Sequence, residues 1–422
     1  MRGALWAVTA AAASSLTIGA VATAAYAHAR HYVLRRRSVL IPRSSNFSGT
    51  PGLRILHLSD LHALARHKKL LDFTNHLTMI DPDFVVLTGD LIAHDAAIEP
   101  VIRALSVFKG IPGVFVFGSN DYYAPRFRNP LRYLMKNSHE TRGENRHEDA
   151  HDDKRQRLAT ASLSAGLTEL GFINLNNVRT TVHTEHCTIT AIGVNDAHID
   201  LDHYPDAQPD FLTSNLQMRD FLTPHLRDER RHDENADSGG KDSRAKDAAE
   251  SNADGAAGDG ADDVTKGGVP HLKIGVTHAP YSRILNRMAS EGCELIFAGH
   301  THGGQICLPG HRALVTNCDL PAQFASGMFA WPPNELPPIK KNGAVLVADT
   351  TAAQTPDHLH QAADRQLTSQ EPQAAPVTQA TSFSSTASPS WVNLSAGLGT
   401  TPFVPLRTWC APEAIQVDVI NM

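Results

Sequence analysis

The chain has 422 residues, with Lys+Arg 38 against Asp+Glu 44, a formal net charge of -6 with His neutral, 41% hydrophobic residues and 19% charged. That is enough chain for one large or two small cores, and the apolar content excludes a wholly disordered protein. The near-balanced charge excludes a dedicated nucleic-acid binder, which carries a strongly basic domain or stripe. Five scattered cysteines, at 187, 293, 307, 318 and 410, exclude a disulfide framework and a CxxC zinc ribbon, whereas 23 histidines are many.

The first element is a stretch without charge from Ala4 to Ala27, bounded by Arg2 and by Arg30, Arg35, Arg36 and Arg37. Its length meets the roughly 20 residues a bilayer span needs, so residues 1–44 are expected to form a single-pass membrane anchor with a basic flank. Ala25-Tyr26-Ala27 also fits an A-x-A cleavage site, and the Ala, Thr and Ser content fits a soluble helix. With the anchor retained, the arginine flank places the main domain in the cytoplasm; cleavage after export places it outside. The remainder, residues 45–422, is expected to be one catalytic domain. It carries three insertions poor in apolar residues, near 137–157, 227–268 and 354–390, whose composition cannot offset the entropy of ordering.

Between the insertions the pattern is α/β. Arg54–Leu58, Phe84–Thr88, Val114–Phe117 and Leu295–Ala298 read as buried strands, and Ala97–Phe108 repeats its apolar residues at helical spacing. Polar residues follow each strand, at the end where open α/β sheets place their ligands. Ser59-Asp60-Leu61-His62 follows the first strand, Gly89-Asp90 the second and Gly118-Ser119-Asn120-Asp121 the third. Thr277-His278-Ala279-Pro280 follows Ile274-Gly275-Val276, and Gly299-His300-Thr301-His302-Gly303-Gly304-Gln305 follows Leu295–Ala298.

Carboxylate, amide and imidazole together suit Zn, Fe and Mn more than Ca. In D-x-H and H-x-H, side chains two apart in extended backbone point the same way and can share a metal cluster. Each piece alone has an ordinary reading, as a cap, an Asx turn or a loop histidine. All five in order at strand ends do not.

These motifs resemble those of the calcineurin-like metallophosphoesterase superfamily: D-x-H, G-D, G-N-H-[DE], a single His, and G-H-x-H. The resemblance covers Ile55 to Gln305, with Asn393–Gly399 similar to the closing strand and turn. The apolar N-terminus and Gly303-Gly304-Gln305 look most like a bacterial membrane-associated branch that includes phosphodiesterases and is similar to UDP-diacylglucosamine pyrophosphatases. The resemblance implies a four-layer α/β/β/α sandwich of two mixed sheets and a dinuclear site for two divalent or trivalent ions, Mn, Fe or Zn. It places Asp60, His62 and His302 on one ion, Asp90 between the ions, and Asn120, His278 and His300 on the other. It implies hydrolysis of phosphodiester or pyrophosphate bonds by a metal-bridging hydroxide. The substrate is expected to be a phosphoester, lipid-linked or nucleotide-linked, reached at the membrane through the N-terminal helix. No protein partner is identifiable.

The departure lies at Gly118-Ser119-Asn120-Asp121, where the family has G-N-H-[DE]. Aligned without a gap, Ser119 takes the ligand position and Asn120 replaces the family His. Shifted by one, Asn120 stays the ligand and Asp121 takes the place of that His, which makes Asn120 and Asp121 the candidate catalytic residues. Either way the imidazole that assists the leaving group is gone, and general acid help is worth about 10²–10⁴-fold. Leaving groups that depart as stable anions, such as a phosphate or an aryloxide, are then expected to be favoured over alkyl monoesters, unless His57 or His198 supplies the proton. The loop Gln305–Trp331 either forms an apolar wall beside the site or simply covers the core. Two alternatives remain: an inactive metal-binding relative acting as a membrane-associated module, for which the altered Gly118 motif speaks, and a phosphoprotein phosphatase.

Overall fold

The computed structural model describes residues 17, 19–41, 52–126, 155–206, 271–333, 350–352, 390–401 and 403–421. Nearly all of the expected insertion near 137–157, all of that near 227–268 and all but Ser390 of that near 354–390 lie outside the described residues, as does the start of the Ala4–Ala27 stretch.

The described residues build two mixed sheets. The first has seven strands, β1 (Val33–Ile41), β2 (Arg54–Leu58), β3 (Phe84–Thr88), β4 (Gly113–Val116), β5 (Phe172–Asn174), β13 (Thr350–Ala352) and β15 (Glu413–Asn421), in the order β13-β1-β15-β2-β3-β4-β5. The second has six, β6 (Arg179–His183), β7 (Thr188–Val194), β8 (His271–Thr277), β9 (Leu295–Ala298), β12 (Gly327–Trp331) and β14 (Ser390–Leu394), in the order β12-β14-β9-β8-β7-β6. A short hairpin, β10 (Cys307–Leu308) with β11 (Arg312–Ala313), stands apart.

Alternation along the strands explains how the sheets stack. Ile55, Phe84, Val86, Val114, Val116, Ile415 and Val417 face Ile189, Leu272, Ile274, Leu295 and Phe297 in one core between the sheets. The intervening residues Leu56, Leu58, Val85, Leu87 and Phe115 point the other way, as a period of two requires. They pack against helices Lys68–His76, Ile98–Leu105 and Thr160–Glu169 through Leu70, Phe73, Val101, Leu105, Leu163 and Leu167. On the far face of the second sheet, Ile192, Ile296 and Val392 meet Ile284, Leu285 and Met288 of helix Ser282–Ser290. The order is thus helices, sheet, sheet, helices. β2, β3, β4 and β5 run parallel, as do β7, β8, β9 and β14, and the loops that follow six of these strands supply the polar residues described below.

Two features of the described residues bear on the N-terminus. No helix among the described residues is long and apolar enough to cross a membrane. Residues 19–28 are helical, but Ala25 and Ala29 are buried and the Ala25 carbonyl accepts a hydrogen bond from Arg407 N at 3.1 Å, so the end of the uncharged stretch belongs to the domain. The expected basic flank is likewise part of the fold. β1 pairs along its whole length with β15, which places it inside the sheet and moves the domain's start ahead of residue 45. Arg35 and Arg37 both pair with Glu413, and Arg37 is 1% exposed.

Candidate metal centre

The loops after β2, β3, β8 and β9 bring Asp60, His62, Asp90, His278, His300 and His302 together, all buried. Five of these six, all but His278, have left-handed backbone: φ is 49° at Asp60, 40° at His62, 53° at Asp90, 73° at His300 and 50° at His302. A non-glycine residue pays about 1–2 kcal/mol there, so the loops hold strain that the surrounding packing sustains, as functional sites do.

Two sets of donor atoms each lie within 4.8 Å of one another: Asp60, His62 and His302, and Asp60, Asp90 and His278. His62 Nε2 lies 3.0 Å from His302 Nε2. Asp90 Oδ2 stands between the groups, 3.4 Å from His62 Nε2 and 3.5 Å from His278 Nε2. His300 adjoins the second set through Nδ1, 3.3 Å from His278 Nε2, while its Nε2 donates to the Asn317 carbonyl at 3.1 Å.

The electrostatics follow from burial and these neighbours. Burial holds His62, His300 and His302 below the ordinary imidazole range, so these rings are neutral and offer lone pairs. Burial opposes charge on His278 too, but Asp90, Asp196 and Asp60 hold it well above that range. Asp90 is buried yet held well below the ordinary carboxylate range by His278 and His62. Two carboxylates and four buried imidazoles converging at one site, with His62 Nδ1 left without a partner, form a donor set that fits divalent or trivalent ions of the Mn, Fe or Zn kind.

A directed chain of hydrogen bonds orients Asp60 from behind. Alternation in β2 turns His57 into the space between the sheets, where it reaches β14. Arg37 Nη1 donates to Asn393 Oδ1 at 2.6 Å, and Asn393 Nδ2 donates to His57 Nδ1 at 2.9 Å. That fixes the tautomer, so His57 Nε2 donates to Thr88 Oγ1 at 2.8 Å. Thr88 then donates to Ser59 Oγ at 2.7 Å and Ser59 to Asp60 Oδ2 at 2.5 Å. Burial pushes the His57 ring down to about 3, which matches its place as a neutral link. His278 is oriented the same way, its Nδ1 donating to the Thr88 carbonyl at 2.6 Å. Such outer partners aim the atoms that face an ion.

At the altered motif the residues separate. Ser119 and Asn120 both line the pocket. Asn120 N and Nδ2 donate to Asp90 Oδ1 and Oδ2 at 2.8 and 2.7 Å, so its NH₂ group is spent on the central carboxylate and its amide oxygen is the atom that could reach an ion. The catalytic role expected of Asp121 does not fit its placement. It is fully buried, and its carboxylate accepts from the backbone N–H groups of Asp90, Leu91, Ile92 and Gly118. It ties the β3 and β4 loops together. Gly118 is required by close approach, since a Cβ there would stand 2.3 Å from Asp90 Oδ1 and 2.7 Å from His278 Nε2. Of the two histidines that stood in for the missing imidazole, His57 is enclosed behind Asp60, whereas His198 lines the pocket with its ring centroid 4.7 Å from that of His300.

Several residues of the site had no signal in the sequence. Arg407 is fully buried and donates to the carbonyls of Ala396 at 2.7 Å, Gly399 at 2.5 Å and His302 at 3.2 Å. It locks the turn after β14 to the His302 loop. The pocket over the cluster, about 140 Å³, is also walled by Arg126, Arg155, Thr401 and Phe403, whose positions nothing in the five motifs marks. Ser59 was the exception, adjoining Asp60 in its motif.

Residues 53–304 match the calcineurin-like phosphoesterase family. The Bacillus subtilis (strain 168) protein YpbG, described as uncharacterized, is 26% identical over 230 residues, 53% of this chain and 73% of YpbG. Among solved structures, TT1561 of Thermus thermophilus aligns over 59% of this chain and 82% of its own, with 14% identity and a TM-score of 0.27. Phosphopantetheinyl hydrolase (PptH) from Mycobacterium tuberculosis aligns over 59% and 83%, with 8% identity and a TM-score of 0.25.

Proposed function

The chain belongs to the calcineurin-like phosphoesterase family, and from that premise we propose that it is a metal-dependent hydrolase of phosphodiester or pyrophosphate bonds using a dinuclear centre. The observation that carries this reading is the buried cluster on the pocket floor, with one carboxylate oxygen of Asp90 between the imidazoles of His62 and His278. Asp60, His62 and His302 would hold one ion and His278, His300 and Asn120 the other, with Asp90 shared. Two such ions polarise phosphoryl oxygens and make hydroxide available near neutral pH.

The chain's own residues do the rest. Arg37, Asn393, His57, Thr88 and Ser59 aim Asp60, and Asp121 fixes the two loops that present Asp90 and Asn120. Arg126 and Arg155 line the pocket, and their positive charge there favours a second anionic group of the substrate. A pyrophosphate or a phosphorylated diester carries such a group; a simple alkyl monoester does not. The finer reading, a membrane-associated branch acting on a lipid-linked or nucleotide-linked substrate, is supported by Phe403 on the same wall.

The test is hydrolysis of an aryl phosphodiester by the full chain, stripped of metal and reloaded with Mn²⁺ or Zn²⁺, beside Asp90→Asn with its metal content measured. Turnover that returns with metal and is absent in the variant supports the reading. Two bound ions without turnover across diesters, monoesters and pyrophosphates would refute it and favour the inactive relative.

A further inference from the structure

Nine large apolar side chains are exposed among the described residues, and they are not scattered. Five lie on two adjoining segments: Ile306 (38% exposed), Leu308 (43%) and Leu314 (47%) on and around the β10–β11 hairpin, and Phe403 (46%) and Trp409 (55%) on the stretch before β15. The segments form one surface. Ile306 bridges to Thr408, Thr408 N donates to the Gln305 carbonyl at 3.1 Å, and Gln305 Nε2 donates to the carbonyls of Val404 and Leu406 at 2.6 and 3.1 Å. Two more of the nine, Val21 and Tyr26, belong to the helix of residues 19–28, which is bonded to this surface where Arg407 N donates to the Ala25 carbonyl. Phe403 also lines the pocket, so the apolar surface begins at the pocket mouth.

The charge of this face is one-sided. The chain has 44 Asp and Glu residues, yet none falls in residues 17–41, 305–316 or 400–410. Those segments do carry His31, His311 and Arg312, all exposed, and the half-exposed Arg30, whose guanidinium lies 3.6 Å over the Tyr26 ring. Exposed Trp, Phe, Leu and Ile beside the guanidinium groups of Arg30 and Arg312, on segments without an acid, is the composition of a protein face lying in a bilayer interface, where apolar groups enter the acyl boundary and cations meet lipid phosphates.

We propose that this face is a docking surface for an anionic phospholipid bilayer, seated at headgroup depth with the pocket mouth at its edge. The uncharged sequence from Ala4 enters the described structure through the helix bonded to this face, which names the occupant: a segment of that composition and the exposed side chains favour the same apolar layer. The proposal does not depend on the hydrolase reading.

The experiment uses the full chain with vesicles of phosphatidylcholine and phosphatidylglycerol in equal parts, some carrying brominated acyl chains, and with phosphatidylcholine vesicles alone. The chain has 4 Trp, so emission from Trp409 is taken as the difference between the wild type and Trp409→Phe. The expected result is a blue-shifted Trp409 component that brominated lipid quenches, on the anionic vesicles and reduced by added salt. Leu308→Asp combined with Leu314→Asp should abolish that quenching and weaken vesicle partition by about tenfold, while the urea midpoint and near-ultraviolet circular dichroism stay unchanged. A vesicle-bound chain whose Trp409 component ignores the bromine overturns the proposal, because the contact is then made elsewhere. Equal binding to both vesicle types overturns the anionic partner. Without vesicles, a dimer that the Asp substitutions dissociate shows a second copy on this face, and a Trp409 already shielded from acrylamide in the monomer shows the chain's own N-terminal residues there; each overturns the lipid assignment.

Discussion

Replacing Arg407 with Met removes a buried cation that joins the last turn of the site to a candidate ligand loop. Its guanidinium donates to the carbonyls of Ala396, Gly397, Gly399 and His302 and lies 3.4 Å from His302 Nδ1. Methionine keeps the bulk of the stem and none of the donors. Each buried carbonyl left unpaired costs about 1–3 kcal/mol, and losses within one cluster do not add in full. Removing the guanidinium also relieves its own desolvation. The net expectation is therefore about 3–5 kcal/mol, the cost of two or three unpaired carbonyls after that relief. Against a typical total of about 5–15 kcal/mol this is a large fraction, and urea unfolding followed by tryptophan emission reads it directly. Arg407→Lys, reaching fewer carbonyls, should fall between. Because the lost contacts include both the carbonyl and the ring of His302, metal affinity should drop by about 10–100-fold in variant protein that is still folded. A stability change below about 1 kcal/mol with unaltered metal affinity would show that the guanidinium merely fills space.

Other expectations follow from the same geometry. Gly118→Ala places a Cβ 2.3 Å from Asp90 Oδ1, so titration calorimetry should show metal binding weakened beyond tenfold, with about 1–3 kcal/mol lost from overpacking. Asp121→Asn puts an NH₂ among four backbone donors and should lower stability by about 2 kcal/mol; an unchanged urea midpoint would contradict the role assigned to it. His57 is held neutral, down to about 3 from an ordinary 6.5, so below that ordinary value the unfolded chain takes up a proton the folded chain refuses. Its contribution is intact above about pH 6.5 and shrinks by about 1.4 kcal/mol per unit as pH falls, roughly 2 kcal/mol by pH 5. His57→Gln should lack that part of the acid slope, which paired urea titrations at both pH values test. Burial pushes the Cys293 thiol up to about 12, so alkylation monitored by mass spectrometry should reach it only on unfolding.

Much of the site could be read from the chain because its polar residues are local signals. Asp60, His62, Asp90, His278, His300 and His302 each follow a run of buried strand residues, and strand direction alone carries such residues to one edge of a sheet. The helix expected at Ala97–Phe108 is present as Ile98–Leu105 between two tight turns, since apolar spacing reports the buried stripe but not where the last hydrogen bonds change pattern. Misreading arose where composition was ambiguous. Arg35, Arg36 and Arg37 beside an uncharged stretch look like a membrane flank, and only the pairing of β1 with β15 reveals that Glu413, far along the chain, neutralises two of them.

Asp121 was placed by its position in a motif, yet orientation decides its chemistry: one turn of helix rotates it from the pocket into a nest of backbone N–H groups. The same limit applies to Arg407, His57, Asn393, Arg126 and Phe403. Their roles exist only through partners separated from them by long stretches of sequence. Local pattern determined which residues could bind metal, because donor type and strand register are written within a few residues. The tertiary structure decided which of them face a common point, what holds them there and what walls the pocket, because burial and hydrogen-bond partners are set by the packing of two sheets whose contacts no single segment contains.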